Sequence, residues 1–333
     1  MRSHRVHPER RPLLAAAALC SWAWLALSPA LSAQTLLVVN KSGNSLSVID
    51  VGTRASLATI ATGTAPHEVA VSPDGRWAFV SDYGTGAAPG TTVTMIDVPA
   101  RSVVGTIPLG EHTRPHGIAV ASDGTVWVTT EGSQHVLQLD PQTQSIRQAV
   151  RTGQRVTHQV VIVESAGRVY TANIGSGTAT AVDAASGRIL THVATGAGAE
   201  GIDVAPDGSK VYVTNREAGT LSEIDVATNT ATRELTVGDF PIRVRVRPDG
   251  REVLVSNARG NEIVAVDLER WEVVRRLAVG AMPVGILVSP DDRRAFVANT
   301  QDDRISVIDL ERWALDGEIR AGDEPDGMAW VSH

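Results

Sequence analysis

Seven copies of one spacing dominate this chain. An aspartate closing an apolar run recurs at Asp50, Asp97, Asp140, Asp183, Asp225, Asp267 and Asp309, at intervals of 47, 43, 43, 42, 42 and 42 residues. Thirteen residues after each stands a glycine: Gly63, Gly110, Gly153, Gly196, Gly238, Gly280 and Gly322. A period of this length, filled with short strands and turn signals, is that of a four-stranded propeller blade. Glu200 to Gly238 shows the unit: an inner strand from Gly201, the turn Ala205-Pro206-Asp207-Gly208, then Lys210 to Asn215, Leu221 to Asp225 and Ala231 to Val237. Proline and Asp-Gly supply the turn chemistry, and β-branched and aromatic residues fill the strands. The chain begins out of phase, at the second strand of a unit (Leu36 to Asn40), and ends on a first strand (Gly327 to Val331). The expectation is an all-β, seven-bladed propeller, one blade closed by three N-terminal strands and one C-terminal strand. Such closure leaves no free sheet edge.

The first 33 residues differ in kind. Arg2, Arg5, Arg10 and Arg11 precede an apolar run, Leu13 to Leu27, and small residues follow, with Leu31-Ser32-Ala33 one plausible cleavage site and Ser28-Pro29-Ala30 another. This reads as a secretory signal over residues 1–33, with the propeller over 34–333 and an exported, periplasmic or extracellular protein with no membrane span after cleavage. The lone cysteine, Cys20, falls in the signal, which excludes thiol catalysis, disulfides and cysteine-ligated metals. Without residues 1–33, which hold four arginines and one glutamate, the chain carries 26 basic and 36 acidic residues, a net charge of −10. No basic run marks a nucleic-acid footprint. Arg243, Arg245 and Arg247 alternate along one strand and read as a solvated edge. No nucleotide or flavin fingerprint is present.

Val211-Tyr212-Val213-Thr214-Asn215 recurs as Val169 to Asn173, Val253 to Asn257 and Ala295 to Asn299. With Ser72-Pro73-Asp74-Gly75 and the Val-Ile-Asp endings at Asp50 and Asp309, the chain from Leu36 onward resembles the YVTN-repeat, YncE-like propellers. The resemblance implies the seven-bladed fold and an exported binding protein. The motif itself reads as structural, its asparagine capping a turn.

Function is sought where the repeats disagree. At the start of the inner strand the seven units carry His67, His116, His158, Glu200, Ile242, Val284 and Asp326. Inner strands surround the axis, so three histidines, a glutamate and an aspartate share one rim. Seven histidines remain after residue 33, and three of them stand at this phase. Three imidazoles with an open position suit copper, iron or zinc. Structural histidines inherited by duplication are the alternative. Two insertions lie beside the His67 and His116 blades: five residues within Tyr83 to Thr91, and two within Glu111 to Pro115. They nominate Tyr83, His112 and Arg114 as ligand-binding loop residues on the same face. The asparagine phase also breaks there, at Asp82 and Thr130. Asp82 and Glu131 are thus candidates for a general base or a partner to a ligand histidine, or else solvated caps.

Three functions follow as expectations. One is an exported protein binding a metal, a small ligand or a protein partner on the top face. Another is a metal-dependent enzyme, a copper or iron oxidoreductase or oxygenase, using the same histidines. Arg114 to Ile118 and Val126 to Glu131 resemble strands of streptogramin lyase, although the aromatic register puts Thr130 where that family has its metal-binding glutamate. The third is a metal-free scaffold that binds partners.

Overall fold

The computed structural model describes residues 1, 2, 4 and 34–331; the export signal expected over residues 1–33 therefore falls almost entirely outside the described residues. From Thr35 to Val331 the chain forms seven four-stranded antiparallel sheets. Blade 1 is built from Thr35–Asn40, Ser45–Asp50 and Ala55–Ala61 with the C-terminal strand Pro325–Val331 as its inner strand. Val38 pairs with Met328 and Thr35 with Val331, so the first and last strands lie in one sheet. The inner strands of blades 2 to 7 are Pro66–Val71, Pro115–Val120, Thr157–Val163, Ala199–Val204, Pro241–Val246 and Pro283–Val288. Each touches the next, and Pro325–Val331 touches both Pro66–Val71 and Pro283–Val288, so the ring is closed.

The repeated residues are explained by repeated contacts. Each aspartate ends the third strand and accepts from the turn behind it: Asp50 Oδ1 takes the Thr53 N–H at 2.6 Å and its hydroxyl at 2.8 Å, and Asp225 does the same with Thr228. An aspartate bonded to its own turn sets the hairpin into the outer strand. The motif asparagine is buried and ties the sheet together across a hairpin. Asn40 donates to Ser45 and Ser47 at 3.0 and 2.9 Å, and accepts the N–H of Gly322 at 2.9 Å. A Cβ at Gly322 would lie 2.6 Å from that side chain, and one at Gly280 2.6 Å from Asn299. At Gly63, Gly196, Gly238, Gly280 and Gly322 the glycine thirteen residues beyond the aspartate leaves room for the next blade's asparagine or Asp82, whereas Gly110 and Gly153 face open space and are held by a left-handed φ of 62° and 67°.

The threonine of the motif has its own task. Every inner strand gains one residue relative to its neighbour just after its first position; Pro66 pairs with Asp82, for example, and Val69 with Val80. Such a bulge leaves an N–H without a ladder partner. Ser81, Thr129, Thr214 and Ser256 accept that N–H from Glu68, Gly117, Gly201 and Arg243 at 2.9–3.1 Å. Thr214 and Ser256 also donate to the inner-strand carbonyls of Ile242 and Val284 in the next blade, at 3.2 and 3.0 Å. Apolar layers such as Tyr170, Val211 and Val213 fill the space between blades. The alternating arginines are not a solvated edge. Arg243 is buried on the axis and Arg247 is paired with Glu252 and Asp292, because the bulge re-aims this strand's side chains.

Asp82 substitutes for the asparagine. It accepts from Gly63 N–H at 3.0 Å, Thr92 at 2.7 Å and Thr94 at 2.9 Å, and is buried, not a solvated cap. Burial pushes its carboxyl up to about 6, against those three hydrogen bonds. A carboxyl that binds its proton more tightly folded than unfolded makes the fold less stable as pH rises toward 6, with no further loss above. Asp82→Asn restores the amide used in other blades. It is expected to stabilise the protein by on the order of 1–3 kcal/mol at about pH 7.5 and to change nothing at about pH 4. Urea unfolding at the two pH values checks this, and a pH-independent difference would refute it.

Candidate functional site

The bulge sends two successive side chains of an inner strand toward the axis, and they form two layers. The upper layer lines a cavity of about 380 Å³ with His67, His116, His158, Glu200, Ile242, Val284 and Asp326, joined by Tyr83 and Glu131 from the second and third blades. The lower layer holds Glu68, Gln159 and Arg243. Gln159 donates to Glu68 Oε1 at 2.7 Å, and Arg243 pairs with the same oxygen from across the ring. Glycines take this phase in the other four blades, where a Cβ would strike the adjacent inner strand: at Gly201, 2.4 Å from the Ile242 carbonyl; at Gly327, 2.6 Å from the His67 carbonyl. The ion-paired layer separates the upper cavity from a second one of about 220 Å³ beneath it.

The three rim histidines meet. The rings of His116 and His158 are 3.7 Å apart between centroids, those of His67 and His116 4.8 Å. One ligand atom from each of His116, Glu131 and His158 lies within 4.8 Å of the others, a set that could hold a metal ion. Glu131 Oε1 meets His158 Nδ1 at 2.5 Å, and its Oε2 accepts the Tyr83 hydroxyl at 2.6 Å. His67 Nδ1 donates to the Ala65 carbonyl at 2.8 Å, leaving Nε2 with its lone pair. Glu200 lies 3.6 Å from His158 Nε2 but is paired with Arg216 at 2.8 Å, and Asp326 lies 3.6 Å from Arg243. These two carboxylates therefore face arginines and stand outside the tight cluster.

Electrostatics divides the imidazoles. Burial, with His158 and His67 nearby, holds His116 well below its usual value, and burial also lowers His67 against the pull of Asp326. Burial works the same way on His158, but the hydrogen bond to Glu131 and the Glu200 carboxylate 3.6 Å from its Nε2 push it up to about 9. Glu131 is also buried, yet the hydrogen bonds from His158 and Tyr83 hold its carboxyl below the usual range. Burial, reinforced by Glu131, lifts the Tyr83 phenol to about 12.

The first insertion is strand and turn, and the second, Glu111 to Arg114, is a turn and irregular segment leading into Pro115–Val120. The residues from Tyr83 extend the hairpin Trp77–Gly84 to Pro89–Asp97, which pairs as far as Gly84 with Pro89. That extension seats Tyr83 4.3 Å from His67, with Arg114 over its outer face at 5.2 Å. His112 is buried against His135 at 4.6 Å and does not line the axial cavity. Thr130 bonds Ser133 within its own blade, and the next residue, Glu131, reaches the axis. The residue just before each inner strand adopts a left-handed φ in all seven blades: Ala65, Arg114, Val156, Gly198, Phe240, Met282 and Glu324, at 47–78°. Six of the seven are not glycine, a backbone cost that functional rims commonly carry. Val156, Phe240 and Met282 from this set line the cavity. Sequence reasoning missed Glu68, Gln159 and Arg243, because simple alternation sends a residue next to a rim residue away from the axis. The matching Gly117, Gly201, Gly285 and Gly327 at that phase were the available signal.

Fold and site together define a seven-bladed repeat propeller with an imidazole–carboxylate cluster on its axis. The chain belongs to the YncE-like β-propeller family, whose model matches residues 10–333. No curated protein matches the sequence. Among solved structures, it is similar to a Kuenenia stuttgartiensis hydrazine synthase, at 20% identity and TM-score 0.73, over 83% of this chain and 92% of that one. It is similar also to the periplasmic gluconolactonase PpgL of Pseudomonas aeruginosa, at 19% and 0.72, over 90% and 99%. A functionally unknown protein from Desulfotomaculum acetoxidans matches at 14% and 0.76, over 90% and 99%. At these identities the likeness is one of fold.

Arg243→Met alone strands the Glu68 carboxylate and is expected to cost about 3 kcal/mol or more. Adding Glu68→Gln should recover most of that loss. Urea unfolding of the wild type, the single variant and the double variant measures it; equal stability of the two variants would mean the pair is not the plug described.

Proposed function

We propose that this chain is an exported propeller that binds one transition-metal ion, copper, iron or zinc, in the axial cavity. His116, His158 and Glu131 hold the ion and His67 supplies a fourth donor. The observation that carries the reading is the convergence of three ligand atoms within 4.8 Å, from side chains on two inner strands and the turn after Val126–Thr130, in two blades. His116 Nδ1 is buried and without a hydrogen-bond partner in the protein, as an open ligand position would be. The Ala65 carbonyl on His67 Nδ1 orients that ring in the manner usual for a ligand histidine, and the ion would take the place of the proton between His158 Nδ1 and Glu131 Oε1. Glu200 and Asp326, engaged by Arg216 and Arg243, balance charge around the ion without ligating it.

A metal-dependent enzyme is the second reading, and Tyr83 favours it. Its hydroxyl lies 2.6 Å from Glu131 and its ring 4.3 Å from His67, a proton-bearing group beside the cluster. A bound ion would supply Lewis acidity or an activated water. Tyr83 and Glu131 would then carry a proton to or from the ligand.

Elemental analysis of the protein purified from its native compartment is expected to find about one equivalent of metal, lost in His116→Ala and His158→Ala. Glu131→Gln should weaken the affinity ~10-fold or more. Metal-free protein that also fails to bind added copper, iron or zinc would leave the scaffold reading, in which the histidines are dispensable.

A further inference from the structure

The axial cavity has two unlike walls. Blades 2 to 4 contribute His67, Tyr83, His116, Glu131 and His158. Across the axis, blades 6 and 7 contribute Phe240, Ile242, Met282 and Val284, with Arg243 paired to Glu68 at the floor, and blade 1 adds Lys41 and Asp326. Phe240 and Met282 stand at the left-handed position before their inner strands, with φ of 59° and 54°.

Arg216 lies between these walls. Its Nη1 is held by Glu200 Oε2 at 2.8 Å, and its guanidinium sits 5.2 Å from the Phe240 ring centroid. Its Nε is buried and has no hydrogen-bond partner in the protein, like His116 Nδ1 in the same cavity. The imidazole nitrogen can be satisfied by a metal ion. An arginine Nε–H only donates, and a cation cannot satisfy it. This donor therefore calls for an acceptor that neither the protein nor the metal provides.

We infer that the cavity takes, beside the metal, a small monocarboxylate with an apolar body. The carboxylate meets Arg216 at the edge of the metal-bearing wall, and the hydrocarbon lies on Phe240, Ile242, Met282 and Val284. This inference rests on the metal reading above and names the ligand class for the same site. A carboxylate suits the planar guanidinium fork better than a neutral carbonyl does. A polyhydroxylated acid would leave hydroxyls unpaired against the apolar wall, which is unfavourable. The volume of about 380 Å³ is near the small end for ligand sites, and the layer of Glu68, Gln159 and Arg243 closes it below, so the ligand is short.

Calorimetric titration of the protein, zinc-loaded and metal-free, with benzoate and 4-methylpentanoate tests this, with gluconate as the hydroxylated comparison. Zinc content is measured on every sample. The zinc-loaded protein is expected to bind both apolar acids at least about 10-fold more tightly than gluconate. Arg216→Gln and Met282→Glu should each weaken that binding by about 10-fold or more with zinc content unchanged, while Arg155→Gln, outside the cavity, should not. Zinc uptake without binding of either apolar acid overturns the inference and leaves the metal reading intact. Equal binding of gluconate, or binding indifferent to Arg216→Gln, also overturns it. Arg216-dependent binding to a protein that takes up no zinc, copper or iron supports the carboxylate position and removes the metal reading instead.

Discussion

The closure of the ring by the strand Pro325–Val331 is the constraint on which everything else depends. It pairs with the first strand after residue 34 and seats Asp326 beside the His67 blade. Without it blade 1 would lack its inner strand, exposing ladder groups at the seam and opening the axis. A closed ring forces seven inner strands around one line, and residues 42 to 49 positions apart become neighbours there. His67, His116 and His158 owe their contact to this geometry alone.

Within the ring, a one-residue bulge turns a scaffold into a site. Regular alternation would put one of each adjacent pair on the axis and bury the other between blades. The extra residue lets both reach inward, His67 with Glu68 and His158 with Gln159, at the expense of an N–H that the neighbouring threonine or serine accepts. One layer becomes the imidazole cluster and the next a plug of paired charge. The hydroxyls of Thr214 and Ser256 then carry the register into the following blade. Stability and site geometry thus use the same hydrogen bonds. The rim backbone, left-handed in every blade, places bulky side chains such as Phe240 and Met282 over the mouth.

Much of this was legible from residues. The aspartate and glycine spacing reported the turn bond at Asp50 and the packing of Gly322 on Asn40, so blade number and phase followed. The repeat phase also singled out His67, His116 and His158. It could not separate Glu131 from Thr130, since which of two successive residues points to the axis depends on where a strand ends. His112 was nominated by its insertion, but its ring turned to His135, a neighbour 23 positions along the chain. Tyr83 was placed by a hairpin extension that reads in sequence as a glycine-rich loop. Arg243, taken as exposed from its alternation, is buried because Glu68, 175 residues away, neutralises it.

The sequence by itself determined the number of blades, their order, the turns and the seam, because each depends on contacts within one repeat or between adjacent ones and so recurs with the period. Only the tertiary structure decided the chemistry of the axis. The partners there, Glu131 with His158, Glu68 with Arg243 and Gln159, Arg216 with Glu200 and Phe240, come mostly from different blades. Rotational closure brings them together at distances that no local spacing encodes.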